Sequence, residues 1–143
     1  MDLLRVCLGG KLSAVKRLTT RPGVDIDRKN VPQGFTALLC ASEGGYVQVM
    51  RYLVEERHAN VNLKDFNCTS LYFASMLSLL VVVRCLSKEW GTDVHIATNN
   101  GETPLYAACQ EGHPDIVRLV VELGADVHFA TNTAVHCMRK RSY

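Results

Sequence analysis

The sequence predicts an all-α solenoid of stacked helix-turn-helix units that are joined by β-hairpin-like loops. A block that begins at Thr103, TPLYAACQEGHPDIVRLVVELGADV, recurs upstream in weaker copies. The threonines that open three copies, Thr36, Thr69 and Thr103, lie 33 and 34 residues apart. This spacing lies within the period at which short helical pairs stack. Because arrays of this kind present extended surfaces, the pattern indicates a binding scaffold.

The first helix of each unit is predicted to begin at the opening threonine. Thr103 suits the N-cap, and Pro104 follows in the first turn, where its missing N–H is not needed. Leu105, Ala108 and Cys109 then fall at i, i+3 and i+4 on one helix face. The equivalent residues in the earlier copies are Leu38, Ala41 and Ser42, and Leu71, Ala74 and Ser75. The small side chains on this face predict close packing of neighbouring helices.

The second helix is predicted to follow a tight turn. Gly112 is expected to end the first helix in a left-handed conformation, and Pro114-Asp115 to begin the second. The inward face of the second helix is predicted to carry Ile116, Val117, Val120 and Val121. In the third copy Ser78 stands where the others have glycine, so that turn is expected to be the least regular.

The fourth copy, GETPLYAACQEGHPDIVRLVVELGADVH, shows the whole pattern, and Asn100-Gly101 before it is a strong hairpin-turn signal. It resembles the ankyrin repeat, whose pattern G-x-T-P-L-H-x-A-A-x-x-G-H is followed by an apolar helix and by G-A-D-V-N. The histidine of that pattern is replaced by Leu39, Tyr72 and Tyr106 in this chain. The resemblance implies an ankyrin-repeat fold.

The resemblance divides the chain into an ankyrin-repeat domain over residues 1–132 and an end segment, 133–143. The repeats are expected at about 1–33, which is partial, 34–65, 66–99 and 100–132. The end segment is expected to be an incomplete fifth repeat or a disordered basic tail. Either the end segment is a natural short cap, or the chain is a fragment of a longer array of repeats. An uncapped helix face at this end would favour self-association.

The charge pattern bears on the kind of partner. The net charge is +2. Residues 1–34 hold seven basic and three acidic residues, and residues 35–138 hold six basic and eleven acidic residues. The last five residues hold three basic residues. A total so near zero gives no support for nucleic-acid binding. The N-terminus lacks the pattern of a signal peptide, and the longest uncharged stretch is too short and polar to span a membrane. We expect an intracellular, cytoplasmic protein, with nuclear import open through Arg139-Lys140-Arg141.

The sequence predicts no catalytic residues, no cofactor and no metal. The six cysteines are scattered without a C-x-x-C pair, which favours reduced structural residues. Cys109 and His113 stand at i and i+4, but two ligands do not make a metal site. No glycine-rich phosphate loop follows a predicted strand.

The resemblance also implies where a partner binds, because ankyrin proteins usually hold partners with the hairpin tips and the first helices. Carried over by position, and with the two substituted tyrosines, the candidate residues are Phe35, Glu43, Phe66, Cys68, Tyr72, Met76, Leu77, Asn99, Asn100, Glu102, Tyr106, Gln110 and Glu111. Met76 and Leu77 are apolar where the fourth copy has Gln110 and Glu111. Flexible apolar residues and aromatic residues concentrate binding energy, so they predict an interface anchor. A locally degenerate repeat is the other interpretation.

The leading functional hypothesis is a non-catalytic protein-interaction module or adaptor for a protein of unknown identity. A second hypothesis is a targeting or substrate-recruiting segment of a larger enzyme or signalling protein. A third is a protein-kinase inhibitor of the four-repeat type, which the chain resembles in size and repeat number only.

Overall fold

The structure is a computed structural model that describes residues 2–128. The described chain divides into two compact units, with the boundary between Ser70 and Leu71. The predictions for 133–143, for the basic cluster at its end and for an uncapped C-terminal face lie outside the described residues.

Each unit is built from helix pairs. In the first unit these are α1 (Leu3–Leu8), α2 (Leu12–Thr19), α3 (Ala37–Glu43) and α4 (Val47–Arg51), the last continued by a π-helical turn over Tyr52–Glu56. α5 (Ser70–Met76) lies in the second unit except for its first residue. It is followed by α6 (Leu80–Arg84) with a π-helical turn over Cys85–Glu89, by α7 (Pro104–Glu111) and by α8 (Pro114–Glu122). Within residues 2–128 there is no strand, and Lys64 and Thr69 form an isolated antiparallel bridge. The predicted all-α class is confirmed.

The predicted N-caps are present at two first helices. The Thr36 hydroxyl oxygen accepts a hydrogen bond from Leu39 N at 3.3 Å, and that of Thr103 accepts one from Tyr106 N at 3.2 Å. Each bond satisfies an amide that the start of a helix leaves without a backbone partner. The threonines therefore fix where α3 and α7 begin.

The turn between the two helices of a repeat has the same conformation in all four repeats. Gly10, Gly45, Ser78 and Gly112 have φ of 66, 70, 60 and 73°. The next residue donates its N–H to the carbonyl five residues back, as Leu79 does to Ala74 at 2.9 Å and His113 to Ala108 at 2.9 Å. The expected irregularity at Ser78 is wrong, because this hydrogen bond and the packing of the flanking helices hold a serine in the left-handed region at a cost in strain.

The second helices of the second and third repeats end in π-helical turns. In each repeat a residue with positive φ precedes the second helix and another follows it. These two positions are Gly45 and His58 in the second repeat, Ser78 and Gly91 in the third, and Gly112 and Gly124 in the fourth. The second and third repeats therefore have one more residue between these two positions than the fourth. Ala59 N accordingly bonds to Leu53 O, six residues back, whereas Ala125 N bonds to Val120 O, five back. A single inserted residue is thus absorbed as a π-bulge without loss of the repeat.

The hairpin-like loops between repeats are held by side chains at their first residue. Asn30 Oδ1 accepts from Phe35 N at 2.7 Å, and the Thr98 hydroxyl oxygen accepts from Glu102 N at 3.2 Å. Asp65 Oδ1 accepts from Asn67 N and from Cys68 N. The loop tips are therefore ordered and can present side chains.

The core consists of the predicted leucines and small residues of the first helices. Leu38, Leu71 and Leu105 are buried, as are Ala41, Ala74 and Ala108. In α8 the buried face is Ile116, Leu119 and Val120. The predicted inward positions of Val117 and Val121 are corrected, because both are half-buried.

Candidate functional site

Phe66 forms the tip of the second hairpin-like loop, in the first unit. Its ring lies on Gly34, where a Cβ atom would come within 2.7 Å of Phe66 Cδ1. The glycine also has φ of 77°, so it supplies both the turn and the space for the ring. The Phe66 side chain nevertheless stays 55% exposed. It is an ordered aromatic surface of the kind that anchors protein interfaces.

The first hairpin-like loop carries a second exposed apolar residue in the same unit. Val31 is 88% exposed at its tip, while Phe35 at the end of the loop is half-buried. Glu43 is exposed at the end of α3. Cys68 is removed from the candidate surface, because its side chain is only 6% exposed and packs inside the loop base.

In the second unit, Met76 and Leu77 stand at the end of α5. Leu77 is 44% exposed and Met76 is half-buried. The carbonyl oxygen of Met76 lies 3.0 Å from His113 Nε2, in the equivalent turn of the next repeat. Because the carbonyl oxygen accepts, the contact requires the tautomer with a proton on Nε2. The two apolar residues are therefore displayed on a turn with a fixed backbone.

Tyr72 and Glu102 are brought into direct contact in the second unit. The Tyr72 hydroxyl donates to Glu102 Oε2 at 3.0 Å, and the Tyr72 ring is buried. Tyr72 is thus corrected from a contact residue to a support for the loop that carries Glu102.

The remaining candidate residues of the second unit form a polar surface. Asn99 and Asn100 are exposed at the third loop tip, Gln110 and Glu111 are exposed on the last turn of α7, and Tyr106 is half-buried. Met76 and Leu77 differ from this surface in chemistry, although their positions are equivalent to those of Gln110 and Glu111.

The buried thiols of the first unit have low nucleophilic reactivity. Burial, with added repulsion from nearby acidic groups, raises the pKa of Cys7 and of Cys40 from 9.0 to about 12. Thiolates are the nucleophilic form of cysteine, so neither residue is activated at neutral pH. The five cysteines in residues 2–128 are free thiols, and four of them are buried.

Cys109 and His113 have the i, i+4 spacing of a candidate metal-ligand pair. Within the described chain, no group of three or more His, Cys, Asp or Glu residues is arranged to hold a metal ion. His113 instead bonds to the Met76 carbonyl, which sequence spacing alone does not reveal. Likewise, no helix in residues 2–128 is long and apolar enough to cross a membrane.

Comparison with known families decides the fold family. A model of ankyrin repeats in three copies matches residues 3–98, and a single ankyrin-repeat model matches 100–133. The chain belongs to the ankyrin-repeat family. The tight turns, threonine caps and hairpin-like loops described above are therefore the repeat elements of an ankyrin protein.

Curated relatives of this ankyrin protein include regulatory proteins and an enzyme. The probable 26S proteasome regulatory subunit p28 of Saccharomyces cerevisiae is 34% identical over 81% of this chain and 51% of its own length. The human protein phosphatase 1 regulatory subunit 27 is 33% identical over 55% of this chain and 51% of its own length. The glycerophosphocholine phosphodiesterase GDE1 of Candida albicans is 30% identical over 68% of this chain but 8% of its own length. The chain thus spans about half or less of each relative.

Proposed function

We propose that this chain is a non-catalytic protein-interaction module that binds a protein partner through exposed apolar residues on its ankyrin repeats. The observation that carries the proposal is the exposure of Leu77, with Met76 beside it, at positions that are polar in the fourth repeat. Full burial of a leucine or methionine side chain is worth about 1.5–3 kcal/mol, so a partner that covers the pair gains substantial affinity.

The ordered backbone of this turn favours a binding site over a degenerate repeat. A repeat that has decayed is expected to lose its turn geometry along with its sequence. Ser78 instead keeps the left-handed conformation of the equivalent glycines, and Leu79 N keeps its hydrogen bond to Ala74 O. His113 adds a further bond to the same turn. The exposed Leu77 and the half-buried Met76 therefore lie on a rigid element, which lowers the entropy cost of binding.

The relatives support a regulatory or adaptor role. Two of them are named as regulatory subunits, one of a proteasome and one of a phosphatase. We take from this that the chain positions or occludes another protein rather than carrying out chemistry itself. Its partner is a protein with an apolar surface that accommodates Leu77.

The proposal is tested by exchanging the apolar pair for the residues of the fourth repeat. Met76→Gln/Leu77→Glu is expected to keep the fold and to lose a partner that the wild-type chain captures from lysate, measured by quantitative mass spectrometry. The matched control is Val81→Glu, which changes another apolar residue of the same unit that is 61% exposed. Retention of every captured partner by the double variant, with unchanged thermal unfolding, contradicts the proposal.

A second candidate function is a recruiting segment within a larger protein. The match to 8% of a phosphodiesterase chain favours it, because the region similar to this chain is a small part of that protein. An open reading frame that continues past Tyr143 in the transcript is the expected result under this alternative. A stop codon directly after Tyr143 counts against it.

We also propose that the chain works inside the cell, in the cytoplasm or the nucleus. The five free thiols of the described residues suit a reducing compartment. Fluorescence microscopy of a tagged chain tests this, and accumulation in the secretory pathway contradicts it.

A further inference from the structure

The first unit contains an open cleft of about 650 Å³ between the start of α1 and the segment that leads into the first hairpin-like loop. Apolar side chains from both sides line it, and four of them, Leu3, Leu4, Val24 and Ile26, are half-buried. A cleft of this size accommodates one or two side chains of a bound peptide. We call it the first-repeat cleft.

Two cations stand at the rim of the first-repeat cleft. Arg28 and Lys29 both line it and both are exposed. Within residues 2–128 neither side chain takes part in an ion pair. They are therefore available to pair with carboxylates of a ligand at little desolvation cost.

The two carboxylates of the lining are already used by the backbone. Asp2 Oδ1 accepts from Leu4 N at 3.3 Å, and Asp25 Oδ1 accepts from Asp27 N at 3.0 Å. They balance the formal charges of Arg28 and Lys29 within the lining, whereas residues 1–34 as a whole hold seven basic and three acidic groups. An excess of one sign on a surface attracts a partner of the other sign and raises its rate of association.

Val31 adds an apolar contact at the same place. It lines the cleft and its side chain is 88% exposed at the loop tip. The cleft thus combines an apolar floor, an exposed apolar lip and a basic rim.

We propose that the first-repeat cleft binds a peptide segment of a partner protein in which an aliphatic or aromatic side chain lies next to Asp or Glu. The apolar side chain enters between Leu4 and Ile26, and the acidic residues pair with Arg28 and Lys29. This proposal rests on the proposed function as a protein-binding module, but it concerns different residues from Met76 and Leu77.

The test is selection from a random peptide library displayed on phage, with the full chain as bait. Enriched peptides are expected to combine acidic and large apolar residues, and Arg28→Glu/Lys29→Glu is expected to weaken a selected peptide by about tenfold or more. Val31→Ser is expected to weaken it as well, and added salt to weaken it further. The matched control, Arg84→Glu/Lys88→Glu, reverses two exposed cations of the second unit and is expected to leave the affinity unchanged.

Three results overturn the proposal. If the selected peptides bind the Arg28→Glu/Lys29→Glu variant as tightly as the wild-type chain, the binding site lies elsewhere. If the same peptides lose affinity only for the Met76→Gln/Leu77→Glu variant, the proposed function stands without this cleft. Enriched peptides that are acidic but lack apolar residues show charge attraction alone. The absence of any enriched peptide contradicts the proposal for the first-repeat cleft, whereas the proposed function is decided separately by the capture experiment with Met76→Gln/Leu77→Glu. Circular dichroism of each variant confirms that it is folded.

Discussion

His113 Nε2 lies 3.0 Å from the carbonyl oxygen of Met76 and thereby ties the turn that displays Leu77 to the following repeat. A hydrogen bond of this kind contributes about 0.5–1.5 kcal/mol to stability. We expect His113→Ala to lower the free energy of unfolding by about 1 kcal/mol and to weaken capture of any partner that depends on Leu77. Urea denaturation and quantitative capture measure the two effects.

His95 provides the control for His113. It is exposed, and its backbone N–H rather than its ring bonds to Asp93 Oδ1. His95→Ala is therefore expected to leave both stability and capture nearly unchanged. Equal effects of the two alanine variants would show that the ring contact to Met76 has no particular role.

Ser78 predicts a stabilising substitution. A residue with a Cβ atom in the left-handed region is strained by about 1–2 kcal/mol, and Ser78 has φ of 60°. Part of the relief is offset by the greater freedom of glycine in the unfolded chain. Ser78→Gly is expected to raise the free energy of unfolding by about 1 kcal/mol, whereas the reciprocal Gly112→Ser is expected to lower it. Denaturant melts in which Ser78→Gly destabilises the protein would contradict the turn geometry.

Thr92 predicts a second stabilising substitution. Its side chain is buried, and in the described structure its hydroxyl oxygen has no hydrogen-bond partner. An unsatisfied buried polar group costs about 1–3 kcal/mol, so Thr92→Val, which keeps the shape, is expected to stabilise the protein by about 1 kcal/mol.

Thr19 is the matched control for Thr92. It is equally buried, but its hydroxyl donates to Val15 O at 2.9 Å and lies 2.8 Å from the Tyr52 hydroxyl oxygen. Thr19→Val is expected to destabilise the protein in the same thermal melts. A destabilising effect from Thr92→Val would mean that its hydroxyl is satisfied.

The buried thiols predict a loss of stability at high pH. Burial raises the pKa of Cys7 and Cys40 to about 12 in the folded chain, above the value of 9.0 for an exposed thiol. The folded state therefore holds these protons more tightly than the unfolded state. Their contribution is complete below pH 9 and is lost as the pH rises toward 12, by at most ~1.4 kcal/mol per thiol for each pH unit.

A comparison with Cys7→Ala/Cys40→Ala isolates this effect, because any loss of stability that does not come from the two thiols is common to both proteins. The wild-type chain is expected to lose more unfolding free energy between pH 9 and 11 than the double variant does. Parallel curves would indicate that the two thiols ionise as they do in the unfolded chain.

Local signals in the sequence were sufficient to predict the repeat architecture. The threonine caps at Thr36 and Thr103 and the left-handed Gly112 each depend on a few neighbouring residues, and the structure confirms all three. The predicted hairpin turn at Asn100-Gly101 is likewise formed, with Thr98 N donating to Glu102 O at 2.8 Å.

The features that sequence reasoning missed depend on contacts between repeats or on tertiary compensation. The burial of Tyr72 follows from its bond to Glu102, which is 30 residues away. Ser78 adopts the left-handed conformation that glycine prefers because the packing of its flanking helices holds it there. The backbone preference of serine alone does not predict this conformation. The exposure of Val31 has a local signal, because Val31 precedes a proline in a loop, where an apolar residue has little chance of burial. The extra residue in the second helices that precede His58 and Gly91 is visible in the sequence and indicates the π-helical turns.

The central claim is that Leu77 contacts a protein partner directly, and site-specific photo-crosslinking tests it most directly. The photoreactive substitution Leu77→p-benzoylphenylalanine is expected to crosslink to the same partner that the wild-type chain captures. Val81→p-benzoylphenylalanine, at a more accessible position of the same unit, is expected not to do so. Crosslinking from position 81 but not from position 77 would contradict the account.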